Sequence, residues 1–513
     1  MRMVRGVMVT ALGVAVIASG QAPAKDTGQG YTLSVSTRIV VLDVVVTDKK
    51  GKLVQRELTK DDFTITEDGV PQTIRSFEPP SSHAMPVSDV AIVNSAADLK
   101  KIGEAPVTVL VLDELNSRFE DMSFSRQMMV KYLQSQPKVL KQPTVLMVAM
   151  NTTFQQMHDY TQDRDALIEA VKKHMPEYPW RMMQSGKTGP GAVERMAQVL
   201  AALQQVAQAS QGTLGRKNLI WVGNGFPSAD LVGLPTDEAD LIEAAIRRCT
   251  ARLLAARITM YTINPTADST STVEADDPDT LDQAVDDNGG DPFSGAVTFS
   301  NFAPSTGGIA YTGRNDLQNV IGEGIAKGQE YYTMSYVPTN KSDDTVKFRN
   351  IKIVMKDPAL RATTRDGYFP ETKADLNPTE DASMKAKQVK ANLQLDLTTA
   401  LTTTMSYNGL DVTATKTRDG TFLVHVAERG IGWSEPNATG QQHAEATVAA
   451  AWYDAKGKLL GHVAHEMTCP RGAVDAGASF PLQVPITGKP VRLRVMVRDA
   501  ENAHMGTSDL TKF

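Results

Sequence analysis

The stretch Val107–Leu112 is an apolar strand that stops abruptly at Asp113. A strand with no polar side must be covered on both faces, which is the condition of a parallel sheet sandwiched between helices. The following residues keep to that plan. Met122–Gln136 reads as a helix, Thr144–Met150 as a second buried strand, Phe154–Tyr160 as an edge strand and Arg164–Met175 as a helix. Val193, Met196, Leu200, Leu203 and Val206 recur at helical spacing. Strand Asn218–Val222, helix Asp237–Ala256, strand Ile258–Ile263, the segment Gly307–Tyr311 and helix Asp316–Lys327 complete the series. About six strands alternating with five or six helices predict a doubly wound α/β domain over 105–330. Residues 266–300 interrupt it. Between Glu274 and Asp291 there are eight carboxylates and no Lys or Arg, so a solvated, mobile acidic insertion is expected. Its spacing does not match an EF-hand loop.

The flanks read as β. At 31–80, Val35, Ile39, Val41 and Val44-Val45-Val46 build strands, Thr47–Val54 supplies a glycine-containing turn, and Phe63–Thr66 leads to a second turn at Glu67-Asp68-Gly69. A small β-sandwich module fits, with a linker from Pro79 to Asn94. Alternating residues at Tyr331–Val337, Arg349–Met355 and Ala362–Thr364 predict a β extension over 331–370, followed by a helix near Met384–Asn392. Over 393–513, strands at Phe422–Ala427, Ala446–Tyr453, Phe480–Val484 and Val491–Val497 have the spacing of a second β-sandwich. The turn at Tyr453–Leu460 echoes that at 47–54. The expected fold class is thus multidomain, α/β plus β.

Residues 1–24 read as an export signal and not as part of the fold. Arg2 and Arg5 precede the apolar run Val7–Ala18, and Ala22-Pro23-Ala24 offers a small-x-small cleavage site. The apolar run is shorter than the roughly 20 residues a spanning helix needs. A periplasmic or secreted protein without a later transmembrane segment is expected. The whole chain of 513 residues carries 53 basic and 59 acidic side chains, a net charge of −6. Loss of the two leader arginines takes it to −8. An acidic balance with 6% aromatic residues argues against a nucleic-acid partner. Two cysteines, Cys249 and Cys469, build neither a disulfide framework nor a cysteine-rich zinc site, and two buried free thiols are expected.

Several segments together resemble a known family. They are Val44-Val45-Val46-Thr47-Asp48, Leu58-Thr59-Lys60-Asp61-Asp62-Phe63, Leu112-Asp113-Glu114-Leu115-Asn116-Ser117 and Gly215-Arg216-Lys217-Asn218-Leu219-Ile220-Trp221. Ser305-Thr306-Gly307-Gly308, Tyr331-Tyr332-Thr333-Met334-Ser335-Tyr336 and Asp366-Gly367-Tyr368-Phe369 continue the series. In this order the chain is similar to the exported von Willebrand factor A-related proteins of Acidobacteria, from about 40 to 370. The resemblance implies an A-like domain, and such domains commonly bind a protein ligand through a divalent ion held by Asp-x-Ser-x-Ser, a loop Thr and a later Asp. Carried onto this chain, Asp113 fills the first position, Ser117 the fifth and Thr188 the loop threonine. Leu115 replaces the middle serine, and Asn224 in Gly223-Asn224-Gly225 stands where the later Asp would be. The metal site is therefore degenerate, with Asp113, Ser117 and Thr188 as the candidate ligands for Mg²⁺ or Ca²⁺. Asn116 and Asn224 are the candidate partner-binding loop residues. The alternative role for Asp113 is to cap the neighbouring helix or to hold its loop by hydrogen bonds.

Other motifs carry less. Ser185-Gly186-Lys187-Thr188 ends like a P-loop, but position 181 is Arg and prolines precede it. Gly223-Asn224-Gly225 lacks the third glycine of a dinucleotide fingerprint and reads as a tight turn. His462-Val463-Ala464-His465-Glu466 matches no zinc-protease order and reads as surface histidines on a strand. The expected function is an exported, non-catalytic protein-interaction, adhesion or scaffold protein whose partners are other exported or cell-surface proteins. The alternative is an exported hydrolase or peptidase-like enzyme acting on envelope polymers.

Overall fold

In this computed structural model, residues 39–54, 56–86, 92–150, 154–175, 190–226, 228–230, 234–265, 291–293, 296–339, 347–370, 393–394, 396–417, 421–472 and 476–513 are described. The expected export signal, Thr188, the acidic run 274–290 and the helix expected near 384–392 lie outside them.

The first strands are β1 (Val40–Asp48), β2 (Phe63–Glu67), β3 (Val70–Gln72) and β4 (Ile74–Glu78). The central sheet follows with β5 (Val107–Asp113), β6 (Val139–Ala149), β7 (Phe154–Asp163) and β8 (Lys217–Val222). Then come the two-residue β9 (Ala229–Asp230), β10 (Ile258–Ile263), β11 (Ala296–Val297) and β12 (Ala310–Tyr311). Six of these form one mixed sheet in the order β12-β10-β8-β5-β6-β7. All neighbours run parallel except β7, which closes the edge antiparallel to β6.

Side-chain alternation along β5 explains why the strand has no polar face. Val107, Val109 and Val111 enter one core, while Leu110 and Leu112 enter the other. The second core is closed by α1 (Phe119–Ser135), α2 (Arg164–Lys173) and the helix Leu317–Lys327. The first is closed by α3 (Pro190–Ala209) and α4 (Thr236–Ala255), with Met196, Leu200, Leu203 and Val206 on the buried stripe that the spacing predicts. Asp163 starts α2 by accepting the N–H groups of Asp165 and Ala166.

The sequence reading separates an N-terminal module from an extension at 331–370, and the strand pairing joins them. The later strands are β13 (Tyr332–Tyr336), β14 (Arg349–Met355), β15 (Leu360–Thr363) and β16 (Gly367–Tyr368). They complete two four-stranded sheets, β15-β1-β13-β4 and β16-β14-β2-β3. Their shared core holds Leu42, Val44, Phe63 and Ile65 together with Tyr332, Met334, Tyr336 and Ile351. Strand β1 finds both of its strand neighbours, β13 and β15, in the later segment. The buried Glu67 carboxylate joins the halves, accepting from Arg349 Nη1 at 2.8 Å, Tyr336 Oη at 2.7 Å and Tyr368 Oη at 3.2 Å.

Two further expectations change. The end of the supposed mobile insertion is packed: Phe293, Val297 and Phe299 are buried beside Phe226 and Phe302. The linker 79–94 is in part ordered, with a 3₁₀ turn at Pro80–His83.

The C-terminal part is the expected sandwich. Its strands are β17 (Val412–Lys416), β18 (Thr421–Val426), β19 (His443–Tyr453), β20 (Leu459–Pro470), β21 (Ala478–Gln483), β22 (Arg492–Asp499) and β23 (Met505–Leu510). They form sheets β17-β18-β21 and β20-β19-β22-β23 around Phe422, Val424, Phe480 and Val495. β19 is buried on both faces. Val448, Ala450 and Trp452 enter the sandwich, whereas Ala449, Ala451 and Tyr453 belong to the α/β core. The small alanines permit that close approach. The turn shared by 48–54 and 454–460 is reproduced: Asp48 Oδ1 and Asp454 Oδ1 each accept two backbone N–H groups, and Gly51 and Gly457 have φ of 75° and 76°. His462 and His465 are exposed on β20, as expected. Both cysteines are free; Cys249 is buried, but Cys469 is only half-buried because β20 is an edge strand. Among the described residues no helix is long and apolar enough to cross a membrane.

Candidate functional site

Parallel strands bring their carboxyl ends to one crest, where open α/β sheets gather ligands. The loops after β5 and β8 meet there. Asp113, the last residue of β5, is fully buried. Its Oδ1 accepts the N–H groups of Leu115 at 2.9 Å and Asn116 at 3.1 Å. Its Oδ2 accepts the Trp221 indole N–H at 3.2 Å and the Gly225 N–H at 2.7 Å. Burial pushes this carboxyl up to about 6, although the N–H groups of Asn116 and Gly225, the Trp221 indole and the Leu115 N–H all favour the charged form.

Ser117 is also buried, and its Oγ accepts the Asn224 N–H at 3.3 Å. The loop Gly223-Asn224-Gly225 comes this close because it has no Cβ where it crosses Asp113. Gly223 has φ of 145°, and a Cβ there would lie 2.2 Å from the Asp113 Cβ. Gly225 has φ of 65° and faces the ring of Phe299. Phe299 packs against Trp221 with ring centroids 5.0 Å apart, so the end of the acidic insertion forms the floor under this loop.

The structure thus brings together Asp113, Ser117 and Asn224 by hydrogen bonds, with Asn116 on the same loop. Leu115, at the place of the middle serine, is buried in the apolar core. Sequence reasoning missed a second pair. Glu114, almost fully buried, meets His174 at the end of α2, with His174 Nε2 2.8 Å from Glu114 Oε1. Sixty positions separate the two residues, and no motif marks either. The other oxygen of Glu114, Oε2, has no hydrogen-bond partner, and neither do Oδ1 and Nδ2 of Asn116. Three buried polar atoms without partners within three residues is unusual, since such groups are normally satisfied.

No family profile and no curated protein matches this chain. Among solved structures, proximal thread matrix protein 1 from the mussel byssus is similar at 12% identity and a TM-score of 0.20, covering 32% of this chain and 38% of that one. The human COPII-coat protein Sec24c is similar at 9% identity and a TM-score of 0.23, covering 53% of this chain and 45% of that one. A Bacteroides uniformis β-glucuronidase reaches 12% identity and a TM-score of 0.10, covering 35% of this chain and 18% of that one. The chain spans less than half the length of each of these three structures.

Proposed function

We propose that this chain is an exported, non-catalytic protein-interaction or scaffold protein whose A-like α/β domain presents the crest around Asp113, Asn116 and Asn224 to a protein partner. The observation that carries this reading is the meeting of two loops at the carboxyl ends of the parallel strands, where Asp113 and Ser117 hold the Gly223-Asn224-Gly225 turn and leave Asn116 and Asn224 half-exposed on adjoining loops. The strand order, with the first strand of the sheet in its middle, supports an A-like reading as a doubly wound sheet. The basic and apolar leader over 1–24 supports export.

In this reading Asp113 is an internal clamp. A carboxylate has about four acceptor sites, and four N–H groups already occupy them. The Ser117 hydroxyl oxygen accepts a fifth N–H, and Leu115 offers no oxygen ligand from its side chain. These residues do not fit a Mg²⁺ or Ca²⁺ ion without breaking the loop that Asp113 holds. The test is cross-linking and pull-down from the native host with the whole chain, comparing wild type with Asn116→Ala and Asn224→Ala. Loss of the same captured protein from both variants supports the crest as the docking site. Unchanged capture moves it elsewhere, and turnover of envelope polymers by the purified protein replaces this reading with the hydrolase one.

A further inference from the structure

Away from the crest, the seam between the N-terminal β-sandwich and the α/β domain holds a buried histidine that nothing satisfies. His83 closes the 3₁₀ turn Pro80–His83, which Pro79 and Pro80 stiffen. Its side chain is 1% exposed, and neither Nδ1 nor Nε2 has a hydrogen-bond partner. One ring face lies flat on Tyr331, with centroids 4.6 Å apart and planes 6° from parallel. Two carboxylates stand at the ring edge. Glu78 Oε2, from the last residue of β4, is 3.6 Å from Nε2, and Glu104 Oε2, from the turn before β5, is 3.9 Å from Nδ1. One ligand atom from each of the three residues lies within 4.8 Å of the others.

We infer that Glu78, His83 and Glu104 form a site for a divalent transition-metal ion, Zn²⁺ or Mn²⁺, with one imidazole nitrogen and an oxygen from each carboxylate as protein ligands and water completing the shell. A buried imidazole with no partner costs free energy unless something occupies it. A protonated imidazole paired with both carboxylates is the other arrangement that would do so. Burial, and then the positive charge of Arg257, hold His83 below the ordinary histidine range, while Asp43, Glu78 and Glu104 pull the other way. A neutral imidazole is the form that binds metal. Arg257 lies 3.8 Å from Glu104 but is paired more closely with Asp43 at 2.7 Å. The nitrogen ligand favours Zn²⁺ over Ca²⁺ or Mg²⁺, and the two carboxylates also suit Mn²⁺. Tetrahedral ligands at about 2.1 Å sit roughly 3.4 Å apart, and the two glutamates are 46% exposed, free to close the remaining gap. An ion here would tie β4 to the segment that enters β5.

The test uses the chelator-stripped whole chain, titrated by calorimetry at pH 7.5 with ZnCl₂, MnCl₂ and MgCl₂ alone. One Zn²⁺ or Mn²⁺ site per chain is expected, with Mg²⁺ at least about tenfold weaker. Glu78→Gln and Glu104→Gln, at half-exposed positions that should not disturb folding, each weaken Zn²⁺ or Mn²⁺ binding about tenfold or more. The same ion raises the melting temperature of wild type but not of these variants. Absence of binding overturns the site, as does binding that both variants retain. Binding lost instead on His462→Gln or His465→Gln assigns the ion to the exposed strand β20 and likewise overturns it.

Discussion

Arg257 Nη2 donates to Asp43 Oδ1 at 2.7 Å, joining the end of α4 to the middle of β1. The same nitrogen donates to Thr333 Oγ1 on β13, which in turn donates to Asp43 Oδ1, both at 3.0 Å. Burial alone pushes the Asp43 carboxyl up, but Arg257 and then Arg216 more than offset it and hold the carboxyl below its ordinary value. Breaking a buried pair leaves one charge stranded, at a cost of about 3 kcal/mol or more. Arg257→Ala should lower stability by that amount in urea melts, and Asp43→Ala in the same chain should recover part of it. A single-variant loss under about 1 kcal/mol would mean that the pair does not hold the seam.

Gly223→Ala is predicted to spring the clamp at the crest. Its φ of 145° and the 2.2 Å approach of a Cβ to Asp113 leave no room for a methyl group without moving the loop. A cost of about 2–4 kcal/mol is expected, because backbone strain and a clash act together. The indole of Trp221 loses its acceptor in that event, so a shift in its fluorescence should accompany the loss of stability. Asp113→Ala should give the same spectral shift. Near-wild-type melting of Gly223→Ala would show that the loop is not pinned there.

Lys217 gives the pH signature of the fold. Its ammonium is buried at the start of β8 and donates to the Thr213 carbonyl. Burial, and then repulsion by Arg257, bring it down to about 7, although Asp43 pulls the other way. The unfolded chain keeps this proton up to about pH 10.4, so the unfolded state binds more protons between the two values. Stability from this group therefore rises with pH from 7 upward. Between pH 7 and 9.5 the wild type should gain about 3 kcal/mol relative to Lys217→Met. Parallel urea midpoints across that range would refute the assignment.

Residues 39–86 expressed alone should remain unfolded, because β1 pairs with β13 and β15, β4 pairs with β13, and β2 loses its neighbour β14. Adding a 331–370 peptide in trans should restore β signal in circular dichroism. A folded isolated fragment would contradict the pairing.

The central strands were legible because burial on both faces leaves a one-dimensional signature: Val107–Leu112 and Ile258–Ile263 announce themselves. Edge strands such as Met505–Leu510, with Gly506, Thr507 and Ser508, carry no such mark. The pairing of β1 with β13 was not legible for another reason. Apolar alternation shows that Leu42 and Met334 each face a core, but not that the core is the same one. At the crest, Asp113 and Gly223-Asn224-Gly225 stood out as a strand end and a turn. His174 and His83 did not, because their carboxylate neighbours come from other elements.

The divided sandwich also sets a schedule for the growing chain. Strand β4 ends at Glu78 and its neighbour β13 begins at Tyr332, so the α/β domain is made between them. At roughly 5–20 residues per second, that delay is about 10–50 s. During it β1 has neither of its neighbours β13 and β15, and a chaperone that shields its open edges would act in that interval.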